Sequence, residues 1–282
     1  MYLCRCRPLR TLISPACHGD SGRLGACACF TRLLPGNRVS VELGPWQATR
    51  ARGGLRRVAD LLLRWPVGMV LVSWRYLWRT TVLHRWEGEG ATVDYPPELP
   101  PAVADDAIQH VTDGVGPLLH RRYRVRIRGT RCTPKQLMRR FVADLNAVVP
   151  SEVAFFRQLS GSQGPPQLGD EYVVRMPGPW DGPVRVVWTD AQSLRLATLR
   201  GHLEAGQIEF RTSCDDDALL FEIESWARAG DWLAHVAYNY VRLAKEIQLN
   251  MWTHCCLRAC EIAGGRPDGG IFITTHRVTT LG

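Results

Sequence analysis

Residues 169–228 read GDEYVVRMPGPWDGPVRVVWTDAQSLRLATLRGHLEAGQIEFRTSCDDDALLFEIESWAR. Short runs rich in Val, Leu, Ile, Phe and Trp are separated by clusters of Pro, Gly and Asp, the punctuation of consecutive strands. Strands are predicted near residues 170–176, 183–189, 194–200, 206–213 and 218–227, with GPWDG, TDAQS, GHLEAG and CDDD as the turns. Every connection is of hairpin length. Parallel strands need crossovers of about a dozen residues or more, so the sheet is expected to be antiparallel.

Upstream, HRRYRVRIRG (residues 120–129) places Tyr123, Val125 and Ile127 on one face and Arg122, Arg124, Arg126 and Arg128 on the other. That alternation is a half-buried strand. Thr133, Pro134 and Gln136 have the spacing of a capped helix start, and Leu137, Phe141 and Leu145 follow on one helical face. A second short helix is predicted over SEVAFFRQL, residues 151–159. Downstream of Gly230, Leu233, Val236, Tyr240, Leu243, Ile247, Met251 and His254 keep helical rhythm until Gly264-Gly265. Residues 266–282 read as a C-terminal tail, either loose or adding a strand at IFITTHRVT. The class is α+β: a curved antiparallel sheet wrapped around a long C-terminal helix, the helix-grip arrangement.

The net charge of +8 is confined to the first 57 residues, which hold ten arginines against Asp20 and Glu42. The other 25 basic and 25 acidic residues balance. A neutral domain lacks the basic footprint of a nucleic-acid binder, so no nucleic-acid partner is expected. Residues 1–57 read as a disordered arm, an arginine-rich transit peptide, or sequence upstream of the true start. Their Cys4-x-Cys6 and Cys27-x-Cys29 pairs lack the spacing of zinc knuckles. Cys255, Cys256 and Cys260 fall on the predicted helix, where adjacent positions diverge by about 100°, and read as small buried apolar residues. No metal or cofactor is expected, and cysteine usage favours a reducing, cytoplasmic compartment.

Residues 58–90 form a Trp/Arg-rich segment predicted as an amphipathic helix. Its uncharged run, residues 65–74, falls short of the roughly 20 residues that span a bilayer. Trp65, Trp74, Trp78 and Trp86 among arginines suit either a membrane surface or packing on the outside of a domain. Residues 91–117 are acidic and Pro-rich and read as a linker or extended surface segment, so the main domain is placed at residues 118–265.

TLRGHLEAGQIEF resembles the TLPGHPESGEERF-type signature of the DUF1990 (UPF0548) family, through Thr198, Leu199, Gly201, His202, Glu204, Gly206, Glu209 and Phe210. FEIESWARAGDWLAHVAYNYVRLAKEIQL is similar to that family's closing strand and helix. Gln207 and Ile208 stand where the family has a more acidic pair, and its Arg- and Trp-containing opening is not obvious here. The resemblance covers residues 118–265. It implies a domain similar to the polyketide-cyclase and lipid-transfer (SRPBCC/START-like) superfamily, with a hydrophobic cavity and no settled activity.

Among these residues His202, Glu204 and Glu209 form the most reactive-looking cluster. A His/Glu pair can serve as acid and base. Equally, His202 and Glu204 can shape a tight loop through backbone hydrogen bonds, with Gly201 and Gly206 at positive φ. Trp180, Arg175, Trp188, His202, Tyr238, Arg242 and Met251 are the candidate ligand-binding residues. Arg185 and Arg195 are further arginines on separate strands, any one of which can face inward onto an anionic group. No nucleophile-elbow, phosphate-loop, HExxH or dinucleotide signature is present. The leading expectation is a non-catalytic binder of a hydrophobic or amphipathic, lipid-like molecule. The alternatives are a membrane-associated or protein-interaction module using the Trp/Arg-rich segment, and a small-molecule enzyme using His202 with Glu204 or Glu209.

Overall fold

The alternation read in residues 120–129 organises the sheet. The computed structural model of the chain describes residues 81–151, 154–175, 181–230 and 243–279, with the backbone alone for 181 and 243–247. Strand β1 is Leu83–Glu89, β2 Val115–Arg128, β3 Phe155–Ser160, β4 Glu171–Arg175 and β5 Asp181–Thr189. Strand β6 is Ser193–Thr198, β7 Glu204–Asp215, β8 Ala218–Ala229 and β9 Arg266–Val278. Helix α1 is Pro134–Ala143, α2 Leu145–Val148 and α3 Leu243–Ala263. The strands form one nine-stranded sheet in the order β1-β9-β2-β8-β7-β6-β5-β4-β3. Strand β1 runs parallel to β9, and the other pairs are antiparallel.

One face of the sheet is apolar. Tyr123, Val125 and Ile127 of β2 meet Phe221 and Ile223 of β8, Ile271 and Ile273 of β9 and Phe210 of β7 in one cluster. Leu137, Met138 and Phe141 of α1 and Trp252, Cys255, Cys256 and Cys260 of α3 cover that face. The three cysteines are buried, and burial pushes their thiols up, Cys260 to about 12. They behave as small core residues. Thr133 Oγ1 accepts from Gln136 N–H at 3.3 Å while Gln136 Oε1 accepts from Thr133 N–H at 3.0 Å, so α1 starts on the capping box its sequence spells. At the end of α3, Gly264 has φ +68°. Its N–H reaches Glu261 O, and the Gly265 N–H reaches Cys260 O, a Schellman closure that a β-carbon would strain.

Two expectations need correction. Residues 155–160 are strand β3, not helix, because Asn146 Oδ1 accepts from Phe156 N–H at 2.7 Å and its Nδ2 donates to Phe156 O at 3.0 Å. The Asn146 amide acts as a surrogate strand partner. Residues 83–89 are strand β1 rather than part of a helix, because they pair with the edge that β9 would otherwise leave open. Residues 58–80 of that predicted helix, with Trp65, Trp74 and Trp78, lie outside the described residues, as does the 1–57 arm. Of the two readings of the C-terminal residues, the added strand holds, over residues 266–278. They form β9, inserted between β1 and β2. Among the described residues, no helix is long and apolar enough to cross a membrane.

Residues 91–113 form a strap across the outer face of the sheet. Val103 and Ile108 pack on Val187, Ala197 and Leu199, while Tyr95 and Val111 pack on Trp226, Leu118 and Val278. A bulge between Val186 and Trp188 turns Val187 to that side. Arg185 pins the strap: its Nη1 lies 2.8 Å from Asp105 Oδ1 and donates to Val103 O at 3.1 Å, and its Nη2 donates to Glu171 at 2.6 Å. Replacing Arg185 by Ala is expected to cost about 2 kcal/mol, since it strands two carboxylates and a carbonyl. It should also expose the strap to limited proteolysis. An unchanged denaturation midpoint and cleavage pattern would show that apolar contacts alone hold the strap.

Candidate functional site

Where the inner row of β2 approaches its N-terminal half, polar side chains replace apolar ones. Arg121 shares the inward face with Tyr123 and is buried. Its register partners are Ser225 of β8 and Thr275 of β9. The Arg121 guanidinium donates to Gln248 Oε1 on α3. Gln248 Nε2 donates in turn to both carboxylate oxygens of Glu204, at 3.1 and 3.0 Å. Strands β2 and β7 and helix α3 thus supply a guanidinium, a carboxyl and an amide to one connected set. Burial pushes the Glu204 carboxyl up, while the Arg121 charge and the Gln248 N–H pull it back.

One helical turn after Gln248 comes Trp252, on the same face of α3. Its ring meets Phe210 edge-on, with centroids 5.8 Å apart. The indole is 7% exposed, and its N–H finds no acceptor among the described residues. An unpaired buried donor costs about 1–3 kcal/mol, which a ligand acceptor would relieve. The arrangement sets a buried hydrogen-bond donor one helical turn from the Arg121–Gln248–Glu204 set.

His202 and Glu204 come close, but not as an acid–base pair. The His202 Nδ1 accepts from the Glu204 backbone N–H at 2.8 Å, and the His202 N–H donates to Leu199 O at 3.0 Å. Gly201, at φ +96°, supplies the left-handed turn between them. Nδ1 also lies 3.0 Å from Glu204 O, so either tautomer of the ring closes the loop onto the Glu204 backbone. Burial lowers the His202 pKa to about 4, against a smaller opposing effect of the Glu204 carbonyl oxygen beside Nδ1, so the ring is neutral at pH 7. His202 holds the loop that aims Glu204.

Glu209 belongs elsewhere. An odd number of positions separates it from Glu204 along β7, which sends it to the outer face. There Arg195 Nε donates to it at 3.1 Å, with Arg211 nearby. Trp188 is also on the outer face, exposed, with Nε1 donating to Asp190 Oδ2 at 3.1 Å. The structure therefore brings neither beside His202 and Glu204. Arg175 is exposed at the end of β4. Met251 is half-buried against the core. Trp180, Tyr238 and Arg242 lie outside the described residues.

A family model described as a domain of unknown function, DUF1990, matches residues 116–258. The chain belongs to the DUF1990 family. Among curated proteins, none matches it in sequence. Among solved structures it is similar to norcoclaurine synthase from Thalictrum flavum in complex with dopamine and hydroxybenzaldehyde, at 10% identity and TM-score 0.37, over 59% of this chain and 98% of that one. It is similar to Ara h 8.0201 at 9% identity and TM-score 0.35, over 51% and 99% of the two chains. A further similar structure is the di-domain ARO/CYC StfQ from the steffimycin biosynthetic pathway, at 10% identity and TM-score 0.37, over 55% and 53%.

The DUF1990 segment contains Arg121, His202, Glu204, Gln248 and Trp252, and excludes β1, β9 and the strap. Of these five, sequence reading selected His202 and Glu204 and missed Arg121, Gln248 and Trp252. Arg121 shares the parity of Tyr123, Val125 and Ile127, and a guanidinium on an apolar row was the available signal.

The His202 shift makes stability depend on pH with a definite sign. The folded ring resists protonation between its ordinary value of 6.5 and about 4, whereas the unfolded ring accepts it. Stability is therefore full above pH 6.5 and falls as pH drops towards 4. His202→Asn keeps an acceptor for the Glu204 N–H and cannot titrate. It should remove from that window a slope on the order of 1 kcal/mol per pH unit at most. Denaturant midpoints of both proteins at pH 7 and 4.5 measure it, and parallel losses would refute the assignment.

Proposed function

We propose that this DUF1990 protein binds an amphipathic small molecule between the inner face of its sheet and the C-terminal helix, in the helix-grip manner, without reacting with it. The reading rests on one observation: the unpaired Trp252 indole N–H, buried among apolar residues one turn from Gln248. The ligand class follows from the groups at that end. Arg121 suits a carboxylate, sulfonate or phosphate head, and Trp252 offers a hydrogen bond to an oxygen. Phe210 and the α3 face take the apolar body. Arg175, Trp180, Tyr238, Arg242 and Met251 are assigned to the approach, Trp180 as a loop aromatic over the mouth. A binding role also fits His202, whose Nδ1 is occupied in holding the loop.

The test uses anilinonaphthalene sulfonate, an apolar ring system with an anionic head. The full chain is expected to bind one equivalent with enhanced fluorescence. Arg121→Gln should weaken binding about tenfold or more, the loss of a charged partner. Trp252→Phe, which keeps the packing, should weaken it about fivefold, the worth of one neutral hydrogen bond. Equal affinity in wild type and both variants, at unchanged melting temperature, would place binding elsewhere and overturn the reading. Native mass spectrometry of the purified chain provides a second check: a co-purifying acid of roughly a few hundred daltons is expected.

A further inference from the structure

A different cluster lies on the opposite face of the sheet, built largely from segments outside the DUF1990 match. Asp94 closes the 3₁₀ turn Thr92–Asp94 at the start of the strap and is buried. Its Oδ2 accepts from Ala91 N–H at 2.8 Å, which aims Oδ1 at the sheet. Two imidazoles meet that single oxygen: His120 Nδ1 of β2 at 2.6 Å and His276 Nδ1 of β9 at 2.5 Å. His120 and His276 are register partners on adjacent strands. On its far side His120 Nε2 lies 2.7 Å from Glu224 Oε1, and Trp226 stacks on the ring at 5.4 Å.

The donor count is unusual. A neutral imidazole has one N–H and one lone pair, yet both nitrogens of His120 face carboxylates, which only accept when ionised. A cation at the junction of Asp94 Oδ1 and the two Nδ1 atoms resolves the count, leaving each imidazole neutral. His120 then donates from Nε2 to Glu224, the usual outer carboxylate that fixes a metal-bound histidine.

We propose that Asp94, His120 and His276 bind a divalent transition-metal ion of the zinc class, with Glu224 as the positioning carboxylate. The three ligand atoms already lie within 4.8 Å of one another. Zinc holds nitrogen and oxygen at about 2.0–2.2 Å, so tetrahedral ligand atoms stand about 3.3 Å apart, and the cluster opens by less than about 1 Å to admit it. Two imidazoles and one carboxylate leave a further position for water or another ligand. That position lies on the His276 side, the more exposed of the three residues, where the Trp86 ring sits edge-on at 5.2 Å. Gly88 and Gly90 keep the approach open: a β-carbon on Gly88 would strike the Trp86 ring, and one on Gly90 would crowd Asp94 Oδ2 and His276.

The experiment titrates the full, reduced and chelator-stripped chain with Co²⁺ and displaces it with Zn²⁺. The wild type is expected to take up one equivalent with nitrogen/oxygen-type visible bands, and its melting temperature should rise on loading. Asp94→Asn and His276→Gln should each weaken binding by at least about a hundredfold, and Glu224→Gln by about 10–100-fold. Exposed Glu261→Gln should change nothing. Asp94→Asn can disturb the strap, so His276→Gln, at a part-exposed position, decides if the other variant does not fold. Absence of uptake by the wild type overturns the proposal. Uptake that persists in His276→Gln with intense thiolate charge-transfer bands also overturns it, and assigns the ion to cysteines such as Cys4, Cys6, Cys27 and Cys29.

Discussion

Strand β2 carries two rows of side chains that cannot share a solvent. Tyr123, Val125 and Ile127 must leave water, while Arg122, Arg124, Arg126 and Arg128 must stay near it or meet counter-charges. The inward row needs a cover, and α1 and α3 supply it. The outward row needs carboxylates at matching register. Strand β8 provides Glu224 opposite Arg122 and Glu222 opposite Arg124, while Asp215 and Asp268 meet Arg126 and Arg128. Arg211 of β7 bridges Glu222 and Glu224 and extends the ladder to a third strand. The arginines stay part-exposed while Glu222 and Glu224 are buried, so the pairs mainly keep those carboxylates compensated. Here they specify register, because a slip by one residue would set arginines against Phe221 and Ile223.

That ladder ends where the outer face turns apolar. Val187, Ala197 and Leu199 would lie in water without the strap, and so would much of Trp226. The strap's own backbone is satisfied by the sheet's side chains: Gln207 donates to Pro97 O at 3.0 Å, and Arg228 to Val111 O at 3.1 Å. Polar and apolar demands are thus met by different partners on one face, ion pairs over β2, β7 and β8 and a packed segment beyond them.

The rows of β2, the five hairpin strands, the α1 cap and the Gly264-Gly265 stop were legible because each is local. Periodicity and capping chemistry are written within a few residues. The misread elements are those decided by distant partners. The segment 151–159 reads as helix until Asn146 engages the Phe156 backbone, and β1 takes its conformation from β9. The site divides in the same way. His202 and Glu204 were visible in one loop. Gln248 reaches Arg121 across 127 positions, and His276 reaches Asp94 across 182, distances over which no spacing rule operates.

The two polar clusters are nonetheless set by neighbouring residues. His120 points outward to Asp94, and Arg121, the next residue, points inward to Gln248. One peptide unit separates them, so the pleat that gives one its partner gives the other its partner too. A one-residue shift of β2 would bury the imidazole against α3 and push the guanidinium towards Asp94, abolishing both sets together. Leu118 and Trp226 oppose such a shift, because both are packed under Tyr95 and Val278 on the outer side. The strap therefore does more than cover apolar surface. By fixing the register of β2 from outside, it holds Arg121 in place inside, and the segments flanking the DUF1990 core become part of what positions its interior.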